Sequence, residues 1–106
     1  MYYLMKLRYG IVGYKVFQLE GNCLSILNEA RSYPKKRGSS LLEDMGILRS
    51  MSLTNGYEGL PFKDRLGVDC FVVRRESTIL VCFVSKEIKD NEKFYNVCLS
   101  LLSECE

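Results

Sequence analysis

Two basic clusters are the chemically suggestive features of this 106-residue sequence. The first is Pro34-Lys-Lys-Arg-Gly-Ser-Ser40. Its three cations and glycine directly precede Ser40-Leu-Leu-Glu43, a match to the helix capping box. A helix N-terminus has unpaired amides and a positive dipole end, and neighbouring cations reinforce its pull on anions. Lys35, Lys36, Arg37, Ser39 and Ser40 are therefore the expected anion-binding residues. Their ligand would be a nucleic-acid phosphate, a phosphorylated partner or an anionic head group. The plain alternative is a solvated charged turn.

The second cluster is Lys63, Arg65, Arg74 and Arg75. Arginine offers a planar fork to phosphate and stays charged when partly buried. Arg74 and Arg75 end a β-rich run, so alternation sends them to opposite faces. Seven tyrosines add aromatic surface that stacks bases or anchors interfaces. Glu43 and Asp44 sit in the first turn of an expected helix, where carboxylates complement the dipole rather than form a catalytic pair.

The absence of histidine removes the Ser-His-Asp and Cys-His triads, HExxH zinc sites and Cys₂His₂ fingers. GxxxxGK[ST] and GxGxxG do not occur. The five cysteines, Cys23, Cys70, Cys82, Cys98 and Cys105, contain no Cys-x-x-Cys pair. No metal site and no cofactor is expected. Cys70 and Cys82 have strand-like apolar neighbours and read as small core residues. Charged residues interrupt the first eight positions, against a signal peptide, and no Asn-x-Ser/Thr sequon occurs. A reducing, cytoplasmic setting is the expectation. The longest apolar run, Ile79 to Val84, has six residues, against the ~20 of a membrane-spanning helix.

The elements that must position these residues follow from periodicity. Tyr2 to Tyr9 and Ile11 to Leu19 are rich in strand-forming residues and read as two strands, or as one long bent strand. Cys23, Leu24, Leu27 and Ala30 fall at helical spacing after a turn at Glu20-Gly21-Asn22, and Tyr33-Pro34 ends that helix. A second helix runs from Ser40 to about Ser52 on a stripe of Leu41, Leu42, Met45, Leu48 and Met51. Gly46 inside it costs about 1 kcal/mol relative to alanine. Thr54 to Gly67 is a long loop. Val68 to Arg75 and Thr78 to Lys86 are strands joined by a tight turn, the second covered on both faces. Asp90 or Asn91 caps a last helix with Phe94, Cys98, Leu101, Leu102 and Cys105 on one stripe. The expectation is a single α+β domain over residues 1–106. Its antiparallel sheet of about four strands packs on three helices, in the order ββααββα.

This rhythm, with Leu80-Val-Cys-Phe-Val-Ser leading into an amphipathic helix, is similar to the longin and roadblock scaffolds. Separately, Leu60-Pro-Phe-Lys-Asp-Arg-Leu-Gly, the arginine-terminated strand and the final strand and helix look like RelE-type toxins. That resemblance covers roughly the last two fifths of the chain. It implies metal-independent RNA cleavage, with Arg65, Arg74, Lys86 and Tyr95 as candidates. Cations would stabilise the phosphorane charge and a tyrosine or lysine would take the proton.

Charge is unevenly placed. Residues 1–75 carry twelve basic and seven acidic side chains, residues 76–106 three and six. A dipolar surface of this kind steers anionic partners. The expected function is a small intracellular, non-enzymatic interaction module. Its partner would be a protein or a second copy of itself that extends an open sheet edge. A RelE-like ribonuclease and a non-catalytic nucleic-acid or phosphate binder are the alternatives.

Overall fold

The computed structural model describes residues 2–21, 23–31, 46–53, 55–59 and 69–105. In chain order these form α1 (Tyr2–Tyr9), β1 (Ile11–Glu20) and β2 (Cys23–Arg31). A helix follows whose described part is residues 46–51 (α2). Then come β3 (Asn55–Gly59), β4 (Asp69–Arg75), β5 (Thr78–Val84) and α3 (Asn91–Cys105). The five strands make one sheet in the order β2-β1-β5-β4-β3, with every neighbouring pair antiparallel. The architecture is α+β, but the order ββααββα and the count of four strands are both corrected.

The first correction concerns Tyr2–Tyr9, which is a helix rather than a strand. Tyr2, Met5 and Tyr9 fall on one helical face. Met5 is fully buried, Tyr2 meets Tyr14 edge-on at 5.0 Å, and Tyr9 meets Phe94 at 4.9 Å. Gly10, at φ +68, ends the helix in the left-handed conformation that glycine adopts without penalty. Aromatic strand propensity yielded here to packing on the sheet.

The second correction concerns residues 23 to 31, which form a strand rather than a helix. Gly21 at φ +60 reverses the chain so tightly that Cys23 pairs with Glu20. The ladder with β1 then satisfies the backbone of β2. Its apolar spacing is helical because, as an edge strand, it buries little of itself: Ile26 and Leu27 remain 54% and 48% exposed. A bulge near Leu27 breaks alternation further, since the register steps from Val16↔Asn28 to Phe17↔Ile26.

The third correction is β3, inside the expected long loop. Two glycines in five residues hide it, but Tyr57 stacks on Phe71 at 5.3 Å and the strand pairs with β4 throughout.

Other expectations hold. β5 is central and buried at every position. The β4–β5 connection is the two-residue turn Glu76–Ser77, with Glu76 at φ +56 in place of the glycine favoured there. Its amide donates to Asn55 Oδ1 at 2.8 Å. Asp90 caps α3, accepting from the Lys93 amide at 3.0 Å. Phe94, Cys98, Leu101 and Leu102 form the buried stripe of α3.

The sheet has a core on each side. Tyr14, Val16, Phe71, Val73, Leu80 and Cys82 face α1 and α3. Phe17, Cys70, Val72, Ile79, Val81 and Phe83 face the other way, with Ile47 and Leu53 packed against them. α2 approaches that second face through Gly46, where a Cβ would lie 2.8 Å from Cys70 Sγ. The helix turns Gly46, Ile47 and Ser50 inward and leaves Leu48 and Met51 exposed. This corrects the expected phase of its stripe. Leu41, Leu42, Met45 and the Ser40–Glu43 capping box lie outside the described residues. Among the described residues, no helix is long and apolar enough to cross a membrane.

Candidate functional site

Lys35, Lys36, Arg37, Ser39, Ser40, Lys63 and Arg65 lie outside the described residues. The remaining candidates are placed as follows. Arg74 ends β4 on the α2 face. Its guanidinium donates to Met51 O at 2.9 Å and to Glu76 O at 2.7 Å. It thereby ties the C-terminus of α2 to the β4–β5 turn. Arg75 points to the opposite face, as alternation requires, and donates to Ser103 Oγ on α3 at 3.3 Å. Tyr95, on α3, packs against Tyr57 at 5.0 Å. Lys86 follows the far end of β5. Ile79, the residue opposite Arg74, and Val84 are separated by roughly 17 Å at ~3.3 Å per residue. The fold therefore does not bring Arg74, Lys86 and Tyr95 to one point.

What surrounds Lys86 is a cationic cleft. It is built where the α1–β1 turn meets the β5–α3 connection. Gly10 O accepts from the Ser85 amide at 3.0 Å and from Ser85 Oγ at 2.9 Å. This pins the two segments together. The aliphatic stem of Lys86 then lies across Gly10, so close that a Cβ there would be 2.7 Å from Lys86 Cγ. A cleft of about 540 Å³ opens beside this junction, lined by Arg8, Lys86, Lys89 and Lys93 together with Tyr9 and Ile88. Glu87 and Asp90 also line it, so four cations face two carboxylates. Asp90 is itself engaged as the cap of α3, accepting from the Lys93 amide. The sequence reading missed this cleft. Lys86, Lys89 and Lys93 lie close together in the chain, but Arg8 joins them only through the α1–β1 turn.

A second candidate is the flank built on β2. Among the described residues β2 pairs with β1 alone. Its first six residues, Cys23 to Asn28, include no charge and no proline, the usual guards of an exposed edge. On the α2 face beside it, Leu24, Ile47, Leu48 and Met51 line a shallow apolar groove of about 480 Å³. On the other face, α1 exposes Tyr3, Leu4 and Leu7, by 57 to 70%.

Among the described residues, no group of three cysteine, aspartate or glutamate side chains is placed to hold a metal ion. Comparison with protein-family models, with curated proteins and with solved structures finds no match for this chain. The likenesses to longin, roadblock and RelE proteins thus rest on the rhythm of the sequence alone.

Proposed function

We propose that this chain is a small, non-enzymatic interaction module of a reducing intracellular setting that engages a protein partner along its β2 flank. One observation carries the reading. Among the described residues eight large apolar side chains are exposed, and seven of them belong to α1, β2 and α2. They are Tyr3, Leu4, Leu7, Ile26, Leu27, Leu48 and Met51. The eighth, Tyr57, stacks on Phe71 and packs at a tilt against Tyr95 instead. Apolar surface exposed on these elements, together with a strand that among the described residues pairs on one side only, is the pattern of a docking surface.

The test is capture from a cell extract by the immobilised chain, compared with an Ile26→Lys/Leu48→Lys variant. Both positions are more than half exposed, so the variant should retain the native circular dichroism spectrum. Proteins retained by the wild type should be lost from the variant. An unchanged set of captured proteins would defeat the reading.

A second reading, non-catalytic binding of a nucleic-acid or phosphate group, draws support from the Arg8, Lys86, Lys89 and Lys93 cleft. The ribonuclease alternative lacks comparable support, because Arg74 is engaged with backbone carbonyls far along the sheet from Lys86.

A further inference from the structure

Beyond that reading, we infer that the face built on α1 docks on an anionic membrane surface, with the outward ridge of α1 against the lipid and the neighbouring cationic cleft on a phospholipid head group.

At about 100° per residue, a helix sorts its side chains by direction. Tyr2, Met5 and Tyr9 of α1 turn toward the sheet and α3, where Tyr2 meets Tyr14 and Tyr9 meets Phe94. Tyr3, Leu4 and Leu7 turn the other way and are 70%, 57% and 62% exposed. Lys6 and Arg8 fall on the two flanks of that ridge, and both are exposed. An apolar ridge between long basic side chains is the arrangement of a helix lying in the plane of a lipid interface, with its leucines among the acyl chains and its cations at the phosphates.

The surroundings of α1 select the occupant. Arg8 also lines the cleft that holds Lys86, Lys89 and Lys93, so ridge and cleft form one continuous surface, apolar at its crest and cationic beside it. No acidic residue precedes Glu20 in the chain. Glu87 and Asp90 share the cleft, but Asp90 caps α3 and the cations remain in excess. The exposed apolar residues of β2 and α2 have company of both signs instead, with Glu29 on β2 and Arg49 of α2 paired to Glu58. Charge therefore matches the α1 face to a surface that is anionic throughout and lies over an apolar interior, as a bilayer with acidic lipids does. The eight residues of α1 fall well short of a membrane span, so the contact is peripheral.

Co-sedimentation with vesicles tests this. The full chain should pellet with vesicles of equal parts phosphatidylcholine and phosphatidylserine, and stay in solution with phosphatidylcholine alone. Lys86→Gln/Lys89→Gln/Lys93→Gln should weaken binding roughly a hundredfold, since each cation near an anionic surface contributes about fivefold. Leu4→Ser/Leu7→Ser should also weaken it while keeping the native circular dichroism spectrum, because both positions are exposed. Ile26→Lys/Leu48→Lys should still pellet, which separates this face from the β2 flank. Soluble glycerophosphoserine and inorganic phosphate should not displace the chain. Absence of binding to the anionic vesicles would overturn the inference. Full binding by a natively folded Leu4→Ser/Leu7→Ser would overturn it too, since charge alone would then hold the chain. Loss of binding in Ile26→Lys/Leu48→Lys would move the contact to β2, and displacement by free phosphate would make the cleft a site for a soluble anion; either result defeats the proposal. The β2 flank as a protein-docking surface stands or falls on its own capture test.

Discussion

Cys23 and Cys70 carry the same thiol into opposite surroundings. Cys23 is exposed on the sheet edge, whereas Cys70 is 1% exposed beneath α2. Burial, with a smaller push from the Asp69 carboxylate, raises the Cys70 thiol from 9.0 to about 12. The protonated form is a poor nucleophile. Iodoacetamide at pH 8 should label Cys23 in the native protein, while Cys70, Cys82 and Cys98 should react only after unfolding. Native labelling of Cys70 at the rate of Cys23 would contradict its placement. The same shift links stability to pH. Below about pH 9 both states keep the proton, and between 9 and about 12 the unfolded chain releases one that the folded chain holds. Stability should fall with rising pH across that window, by at most about 1.4 kcal/mol per unit for this one group. The slope of the urea midpoint against pH should be shallower in Cys70→Ala. The thiol's burial was legible in the sequence, because Asp69-Cys-Phe-Val-Val73 reads as strand interior. Its depth was not, since the covering element is a distant helix.

At the scale of elements, Gly46 shows how a local cost becomes a packing requirement. Glycine inside a helix is worth about 1 kcal/mol less than alanine. Here a Cβ would meet Cys70 Sγ at 2.8 Å and the Val72 and Val81 methyl groups at 3.2 Å. Those neighbours belong to the buried sheet and have little room to move. Overpacking of this kind costs about 1–3 kcal/mol and outweighs the gain in helix propensity. Gly46→Ala should therefore lower the Tm, and a higher Tm would show that α2 stands further from the sheet. Two other elements, α1 and β2, were each read as the opposite type. In α1 the helical spacing of Tyr2, Met5 and Tyr9 and the stop at Gly10 were present but outweighed by aromatic strand propensity. In β2 the apolar spacing was helical in fact, and only pairing with β1 made it a strand. The elements with clear two-fold or 3.6-fold patterning and both boundaries marked, β1, β4, β5 and α3, matched expectation closely.

Across the whole molecule, the uneven charge along the chain acquires a location. Lys86, Lys89 and Lys93 belong to the net-acidic last third of the sequence, yet they gather with Arg8 around one cleft. Association of an anion there should depend on salt. A fluorescent single-stranded RNA oligonucleotide should bind more weakly as salt rises. Lys86→Gln/Lys89→Gln/Lys93→Gln should reduce the slope of log affinity against log salt by roughly 0.7 for each phosphate that is no longer neutralised. A slope unchanged by the triple substitution would remove the cleft from consideration. The β2 flank lies elsewhere on the sheet, and its apolar surface should be far less sensitive to salt.

The amino-acid sequence by itself determined which side chains this protein can draw on: no imidazole, no Cys-x-x-Cys pair, and basic residues in excess over its first 75 positions. It also determined the buried centre, because six consecutive apolar residues in β5 can be satisfied only between two covered faces. Tertiary structure alone decided which strands stand at the edges, which side of α2 meets solvent and which cations share a cleft. Those are relations between segments far apart in the chain. An edge strand or an outward helix face draws its hydrogen bonds and burial from its neighbours, so its own residues carry only a faint record of where it sits.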